Sequence, residues 1–335
     1  MPNPYRPNSK PPGRDWQDRS SVRMPDPNIV AVDPRFRQYM IPNAQIERIH
    51  TGARWSEGPV WFGDMRCLIW SDIPDDRMLR WDAQTGRTSV FRQAAGFPNG
   101  NTRDREGRLI TCEQDNRRVT RTEHDGRVVV LIDQFDGKRL NSPNDVVVRS
   151  DGSIWFSDPG YGISNAYEGH ATEFKLPRCV YRIDVKSGPA KVVNDAFARP
   201  NGLCFSPDEK LLYISDTAVG DDPANPATIT VVQVDEAGRL SNPRVVHDFK
   251  DHKPGFGDGM RIDRDGNLWV ATGWAGEGFD GVHVFAPDGV LIGQILLPEV
   301  CGNLCFGGDK LSRLFMAAST SLYVVTLHAQ GISPC

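Results

Sequence analysis

Six polar side chains recur at one position of a repeated segment, and each carries an oxygen that can bind a cation. In chain order they are Glu57, Asn99, Asn144, Asn201, Asp258 and Asn303, at spacings of 42, 45, 57, 57 and 45 residues. Carboxylate and amide oxygens are the ligands that hard divalent cations such as calcium prefer. If a fold brings these positions to one axis, their burial is costly unless a bound cation satisfies them.

The same residues have a simpler explanation as turn formers. Asn and Asp before Gly are common in tight turns, and the pairs at 99–100 and 201–202 are both Asn-Gly. As a group, four of the six positions favour a metal site over isolated turns: Glu57, Asn144, Asn201 and Asp258. The other two, Asn99 and Asn303, fit support of the metal ring, contact with substrate and a simple turn about equally.

The elements that position these side chains are short strands. Each polar residue precedes a short apolar run, a turn and a second strand such as CLIWSD (67–72) or LLYISD (211–216). Six such repeats predict an all-β, six-bladed β-propeller with four-stranded blades around a central metal-binding channel. Residues 46–52 are expected to add an outer strand to the last blade and close the ring. The two longer spacings predict loop insertions around residues 160–178 and 221–227.

Amino-acid composition indicates the boundaries of the domain and the classes of partner to expect. Residues 1–43 are rich in Pro and polar residues, which indicates an N-terminal arm lying on the surface of a propeller formed by residues 44–335. The net charge is −4 with dispersed Lys and Arg, so neither nucleic acid nor a membrane surface is expected as a partner. The first residues contain no apolar segment typical of a secretory signal, which favours a cytoplasmic protein unless a leader was removed. The odd count of seven cysteines predicts buried free thiols.

Other catalytic chemistries have little support in the sequence. No G-x-S-x-G elbow, P-loop or dinucleotide fingerprint occurs. The seven His residues are scattered, and none falls at the repeated polar position. A serine nucleophile and nucleotide chemistry are therefore not expected.

Four motifs resemble one known family, in the same order along the chain. They are EGPVW (57–61), SPNDVVVRSDGSIWFSDP (142–159), RPNGLCFSPDEKLLYISD (199–216) and GDGMRIDRDGNLWVA (257–271). They resemble the SMP-30/gluconolactonase/luciferin-regenerating-enzyme family over residues 45–327, and RLITCEQDNRRV (108–119) is similar to its bacterial and fungal gluconolactonase branch. The resemblance implies that the metal is held by the four positions already selected: Glu57, Asn144, Asn201 and Asp258.

One position departs from the family pattern. Animal members have an Arg two residues before the Asn of the N-D motif, where it contacts sugar hydroxyls, and this chain has Ser142 there. Other residues must then contact the substrate. Glu113 and Arg117 are candidates for that role, together with Asn99 and Asn303, although a surface ion pair between Glu113 and Arg117 is equally consistent with the sequence.

These observations lead to a functional hypothesis. The resemblance implies a lactonase that opens a sugar-acid lactone such as glucono-1,5-lactone, by attack of water on a metal-polarised carbonyl. Asp258 is the candidate catalytic group, as the base that activates water, as a nucleophile or only as a ligand. One divalent ion is expected, with calcium favoured and zinc, magnesium or manganese compatible. The alternatives are an organophosphate hydrolase on the same site and a non-enzymatic calcium-binding propeller.

Overall fold

Six small antiparallel sheets, built mainly from consecutive strands, are arranged around one axis as the blades of a propeller. The computed structural model describes residues 24–184, 190–194 and 196–332. Across these ranges the chain is almost entirely strand and turn, and the few helices are short 3-10 segments. No helix within these ranges has the length and apolar character needed to cross a membrane. The predicted six-bladed propeller is confirmed.

The strands follow one another in regular order. Before the first blade lie β1 (Ile29–Ala31) and β2 (Glu47–Thr51). Blade one is β3 (Ser56–Phe62), β4 (Cys67–Asp72), β5 (Arg77–Asp82) and β6 (Thr88–Gln93). Blade two is β7 (Pro98–Arg103), β8 (Leu109–Glu113), β9 (Arg118–Thr122) and β10 (Val128–Ile132), followed by a hairpin of β11 (Gln134–Phe135) and β12 (Lys138–Arg139).

The remaining blades repeat this plan. Blade three is β13 (Val146–Val148), β14 (Ile154–Asp158), β15 (Cys179–Ile183) and β16 (Lys191–Asn194). Blade four is β17 (Pro200–Phe205), β18 (Leu211–Asp216), β19 (Thr228–Val234) and β20 (Leu240–Asp248). Blade five is β21 (Phe256–Ile262), β22 (Leu268–Gly273), β23 (Gly281–Phe285) and β24 (Leu291–Leu296), and blade six contains β25 (Cys301–Gly307), β26 (Arg313–Ala318) and β27 (Ser321–Thr326). The 3-10 segments are Pro34–Tyr39, Tyr161–Ile163, Ala218–Gly220 and Lys250–His252.

The ring is closed by the strand that precedes blade one. β2 pairs with β27 in antiparallel register, with Glu47 opposite Val324, and becomes the fourth strand of blade six. The predicted closure is therefore confirmed. Because the last sheet takes a strand from the start of the domain, blades one and six are held together by backbone hydrogen bonds.

Part of the N-terminal segment is built into blade five. β1 pairs with β24 as a fifth strand. The 3-10 helix that follows buries Phe36, whose ring centroid lies 5.8 Å from that of Trp269. Residues 24–43 of the predicted arm thus contribute to the core between blades five and six, and residues 1–23 lie outside the described residues.

The core lies between neighbouring blades. The second strands of blades one, three and five each bury a tryptophan completely, namely Trp70, Trp155 and Trp269. At the closure, Trp61 of blade one stacks on Phe315 of blade six with centroids 5.6 Å apart. Large rings bury much apolar surface and favour a few packing geometries, so they fix the angle between blades. The six described cysteines are buried free thiols, as predicted, and Cys335 is outside the described residues.

The first strand of every blade runs along the central channel. The repeated polar residues sit where these strands begin, and tight turns into the second strands lie where they end. We call the two ends of the channel the upper end, where first strands begin, and the lower end, where they finish.

A candidate metal centre at the upper end of the channel

The structure brings the six repeated polar residues into one ring, which we call the upper ring. Adjacent blades contact each other at six places around the ring, and at five of them one of the contacting residues is a glycine. A Cβ at that glycine would collide with a ring residue of the adjacent blade. The pairs are Gly58 with Asn99, Gly100 with Asn144, Gly202 with Asp258, Gly259 with Asn303 and Gly302 with Glu57. At the sixth place, the backbone N–H of Leu203 in blade four donates to Asp145 Oδ2 of blade three at 3.1 Å. Glycine recurs beside the ring because the backbones approach too closely for a side chain.

Two oxygens of the ring are buried without a partner. Asn99 Oδ1 and Asn201 Oδ1 have no hydrogen bond within the described part of the chain. An unsatisfied buried carbonyl costs about 1–3 kcal/mol, so such groups call for an explanation. A divalent cation fits, because amide oxygens are among its ordinary ligands. Asn201 belongs to the predicted ligand set, so its orphan oxygen supports the predicted metal site, whereas that of Asn99 fits either the metal or a substrate.

The pKa values of the two ring carboxylates also favour a bound cation. Burial raises the pKa of Glu57 to about 8, and the neighbouring Asp145 carboxylate adds to the shift. Burial also raises the pKa of Asp258 well above its usual range, with repulsion from Glu57 as the second cause. A bound cation reverses this balance by stabilising the ionised carboxylates. Asp258 keeps accessible surface, whereas Glu57 is only 4 % exposed.

The donor set combines acids with amides. Among the described residues, no three His, Cys, Asp or Glu side chains converge so as to hold a metal ion. A cation at the upper ring would therefore depend on Asn oxygens in addition to Glu57 and Asp258. Asn303 differs from Asn99 and Asn201 because its Oδ1 has a hydrogen-bond partner. It accepts from the N–H of Leu304 at 2.9 Å, and the Asn303 side chain also bonds to Glu57.

Ser-Asp pairs at the ends of the second strands form hydrogen bonds with the loops that carry the ring residues. Asp158 accepts a hydrogen bond from the N–H of Asn141 at 2.7 Å, in the loop that leads to Asn144. Asp216 accepts from the N–H of Arg199 at 3.0 Å, just before Asn201. These carboxylates bond to the backbone of the loops that carry the ring residues, and so position them.

In blade four, the serine next to Asp216 also bonds to the ring. Ser215 Oγ accepts from the N–H of Gly202 at 2.8 Å and donates to the carbonyl of Asp258 at 3.1 Å. It thereby joins the blade-four and blade-five members of the ring. Sequence alone shows the repeated Ser-Asp pair but not which loop it holds.

The insertion at 159–178 adds polar groups that the sequence did not identify. The Tyr161 hydroxyl lies 2.6 Å from Thr217 Oγ1, and the Arg199 guanidinium sits 3.7 Å above the Tyr161 ring. Burial raises the pKa of Glu168 to about 7, with Arg199 opposing the shift. The Glu168 carboxylate also contributes to the raised pKa of Glu57. The only sequence signal for these groups was the long spacing between blades three and four.

The same insertion docks on Ser142. Ser142 is fully buried, and its Oγ accepts from the N–H of Gly162 at 2.9 Å and contacts Gln114 Oε1 at 3.2 Å. A small side chain at this position lets the loop backbone approach. The departure at Ser142 is therefore linked to the insertion.

Glu113 and Arg117 are both held by protein partners outside the ring. Glu113 accepts from Thr120 Oγ1 at 2.8 Å and from Arg118 Nε at 2.7 Å, and Arg117 Nε donates to the carbonyl of Leu140 at 2.6 Å. A surface ion pair between Glu113 and Arg117 is thus wrong, because both are buried and the partner of Glu113 is Arg118. Their role as substrate contacts stays a prediction.

An aromatic group lies next to the first strands of blades one and five. Trp55, two residues before Glu57, stacks on Trp274 with centroids 5.5 Å apart. Trp274 is 48 % exposed and has a φ of 73°, a conformation that is strained for a bulky side chain. Phe256 at the start of β21 lies 6.4 Å from Trp274. We call these three rings the aromatic shelf.

Comparison with known proteins agrees with the geometry. Residues 55–320 match the family described as the SMP-30/gluconolactonase/LRE-like region. The chain belongs to this family. It is 31 % identical to a gluconolactonase of Zymomonas mobilis over 324 residues, which covers 90 % of this chain and 87 % of that protein.

Two further members of the family are similar over most of their length. A pentonolactonase of Haloferax volcanii is 28 % identical over 81 % of this chain and 84 % of its own. A solved gluconolactonase structure from Xanthomonas campestris superimposes with a TM-score of 0.80 and 35 % identity, covering 89 % of this chain and 94 % of that one. Each of these similarities covers at least 81 % of this chain.

Proposed function

We propose that this protein is a metal-dependent lactonase that opens the cyclic ester of a sugar acid. The observation that carries the proposal is the upper ring itself, in which two carboxylates and two orphan amide oxygens occupy equivalent positions of the blades in a chain of the gluconolactonase family. Relatives named gluconolactonase and pentonolactonase support a small aldonolactone as substrate.

Four residues would hold the cation: Glu57, Asn144, Asn201 and Asp258. All supply oxygen, which favours calcium and remains compatible with magnesium, manganese or zinc. A divalent ion at this site would polarise the lactone carbonyl and stabilise the negative charge that develops on its oxygen. Asn303, which bonds to Glu57, would keep that carboxylate oriented toward the axis.

The chain's own groups would handle the water and the sugar. Asp258 is the candidate for orienting the attacking water and accepting its proton at a carboxylate oxygen, because it is the carboxylate of the ring that keeps accessible surface. Asn99 Oδ1 lacks a protein donor among the described residues and would accept a hydrogen bond from a substrate hydroxyl or from water.

The walls of the site suit a polyhydroxylated ring. The aromatic shelf would pack against the C–H face of the lactone and exclude water from one side. Glu168 and Tyr161 on the insertion would supply polar groups for the substrate hydroxyls. An apolar surface with a few placed polar groups is the usual composition of a small-molecule site.

The test is the initial rate of glucono-1,5-lactone opening, followed by acid release and corrected for spontaneous hydrolysis. We expect activity that disappears with a chelator and returns with added calcium, with magnesium, manganese and zinc compared at equal concentration. Activity that is unchanged after complete metal removal would contradict the metal role. Metal binding without turnover of five- or six-carbon aldonolactones would instead contradict the substrate class.

A further inference from the structure

The lower half of the channel has a composition unlike that of the upper ring. One residue from each blade, two or three positions after the upper-ring residue, lines a cavity there: Pro59, Asn101, Val147, Cys204, Arg261 and Cys305. We call this set the lower ring. At about 3.3 Å per residue, it lies about 7–10 Å further along the first strands. None of the six upper-ring residues lines the cavity.

The cavity at the lower end is large enough for a small organic molecule. Its volume is about 750 Å³, within the ~300–1,000 Å³ range of ligand pockets. Apolar side chains form much of its wall, including Trp61, Phe205, Phe306 and Leu311. A ligand of matching shape would therefore bury apolar surface on entering.

Arg261 is the cation of the lower ring. Its Nη1 donates to the carbonyl of Met260 at 2.7 Å, and no other hydrogen bond of its guanidinium is found among the described residues. The nearest carboxylate, Asp145, is 3.8 Å away and already accepts from two backbone N–H groups. The Arg261 side chain is 19 % exposed, so several of its five donors are available to a ligand.

Three acidic residues line the cavity, and each has a partner of its own. Asp309 pairs with Arg66 at 3.2 Å, Glu209 accepts from the N–H of Ser150 at 2.8 Å, and Asp208 accepts from Ser206 Oγ at 2.7 Å. The charge of Arg261 is therefore balanced by the buried Asp145 carboxylate at 3.8 Å, which does not occupy its donors with a hydrogen bond.

We propose that the lower cavity binds a small organic anion, a monocarboxylate with an apolar body, whose carboxylate pairs with the Arg261 guanidinium. A carboxylate can accept two parallel N–H bonds from a guanidinium, which gives both strength and orientation. The apolar body would lie along the wall formed by Trp61, Phe205 and Phe306. A fully charged sugar acid would lack that apolar contact, so the ligand class differs from the product of the proposed lactonase.

The experiment measures binding of octanoate to the whole chain by titration calorimetry, with a chelator present. The chelator removes any cation at the upper ring, so the result does not depend on the proposed lactonase function. For ten non-hydrogen atoms we expect saturable binding with a Kd on the order of 1 mM. Arg261→Gln should weaken binding about tenfold or more, and Arg261→Lys should lose less because it keeps the charge.

Three controls make the outcome decisive. Arg264→Gln removes an exposed arginine outside the cavity and should leave octanoate binding unchanged. Octanol has the same apolar body without the charge and should bind about tenfold more weakly. Val147→Trp fills the floor while leaving every charge in place and should abolish binding in a protein whose circular dichroism matches the wild type.

Two results would overturn the proposal. Absence of saturable octanoate binding by the wild-type chain would remove the site. Equal binding by wild type, Arg261→Gln and Val147→Trp would place the ligand elsewhere. If Arg261→Gln does not fold, the comparison of octanoate with octanol on the wild type, together with Val147→Trp, still decides the question.

Discussion

The two ends of the central channel are built from the same six strands and differ in chemistry. At the upper end every blade contributes an oxygen-bearing side chain, and two of them are acids. At the lower end the equivalent positions supply a proline, an amide, a valine, two thiols and one arginine. The upper end suits a cation, and the lower end suits an anion with an apolar body.

The contrast shows that propeller symmetry places residues but does not choose their chemistry. β21 (Phe256–Ile262) carries Asp258 near its start and Arg261 three residues later, so the same strand places a negative charge at the upper end and a positive charge at the lower end. Asp145 lies between them, because it repels Glu57 and Asp258 and attracts Arg261. The charge of each end is therefore set locally, within about 10 Å along a strand.

The largest effect is expected from Glu57→Gln. Loss of a ligand carboxylate should lower kcat/KM for lactone opening by about 100-fold or more, beyond the ~10–100-fold typical of residues behind metal ligands. Calcium should also raise the melting temperature of the wild type more than that of the variant. Glu47→Gln, an exposed change on β2, is the matched control and should behave as wild type in both assays.

Asp145→Asn tests whether the residue between the two ends is structural. An amide would present a donor where Asp145 now accepts from the N–H of Val146 or Leu203, so we expect a loss of about 2–3 kcal/mol in unfolding free energy. Urea unfolding measures this loss. Asp309→Asn at the lower rim should stay within ~0.5 kcal/mol of wild type, and equal stability of the two variants would show that Asp145 is dispensable.

Glu168→Gln tests the charge that the insertion adds to the upper end. The pKa of Glu168 is about 7, so its carboxylate is mostly protonated at pH 6 and ionised at pH 8. Only the ionised form attracts a cation. We therefore expect calcium to bind the variant about fivefold more weakly than wild type at pH 8, from ~1 kcal/mol of lost attraction, and nearly equally at pH 6. A difference of the same size at both pH values would count against this titration.

An effect of similar size is expected from Trp274→Ala on the aromatic shelf. Loss of one exposed aromatic contact should raise KM for the lactone about threefold to tenfold with little change in kcat, since an aromatic contact contributes ~0.5–1.5 kcal/mol. Steady-state kinetics separate the two constants. Phe91→Ala, an exposed ring on the outer strand of blade one, is the control, and a fall in kcat alone would argue against a binding role.

Much of the fold could be predicted because each blade corresponds to one copy of a repeated sequence segment. The polar residue, the apolar strand and the turn recur six times, and the resemblance to a known family selects the same ring positions. The closing strand β2 was also predictable, since an alternating segment precedes the first repeat. The packing of residues 24–43 against blade five could not be predicted, because Phe36 and Tyr39 are not part of a periodic apolar pattern that would indicate their burial.

The sequence by itself determined the blade number, the ring positions and the all-oxygen character of the candidate metal site, because each is a local pattern repeated at regular spacing. Only the tertiary structure decided where the insertion places Glu168 and Tyr161, and that Glu113 pairs with Arg118 across two strands of blade two. It alone revealed the cavity around Arg261. The physical reason is that these contacts depend on strand register and on how the sheets and the insertion pack, rather than on spacing along the chain.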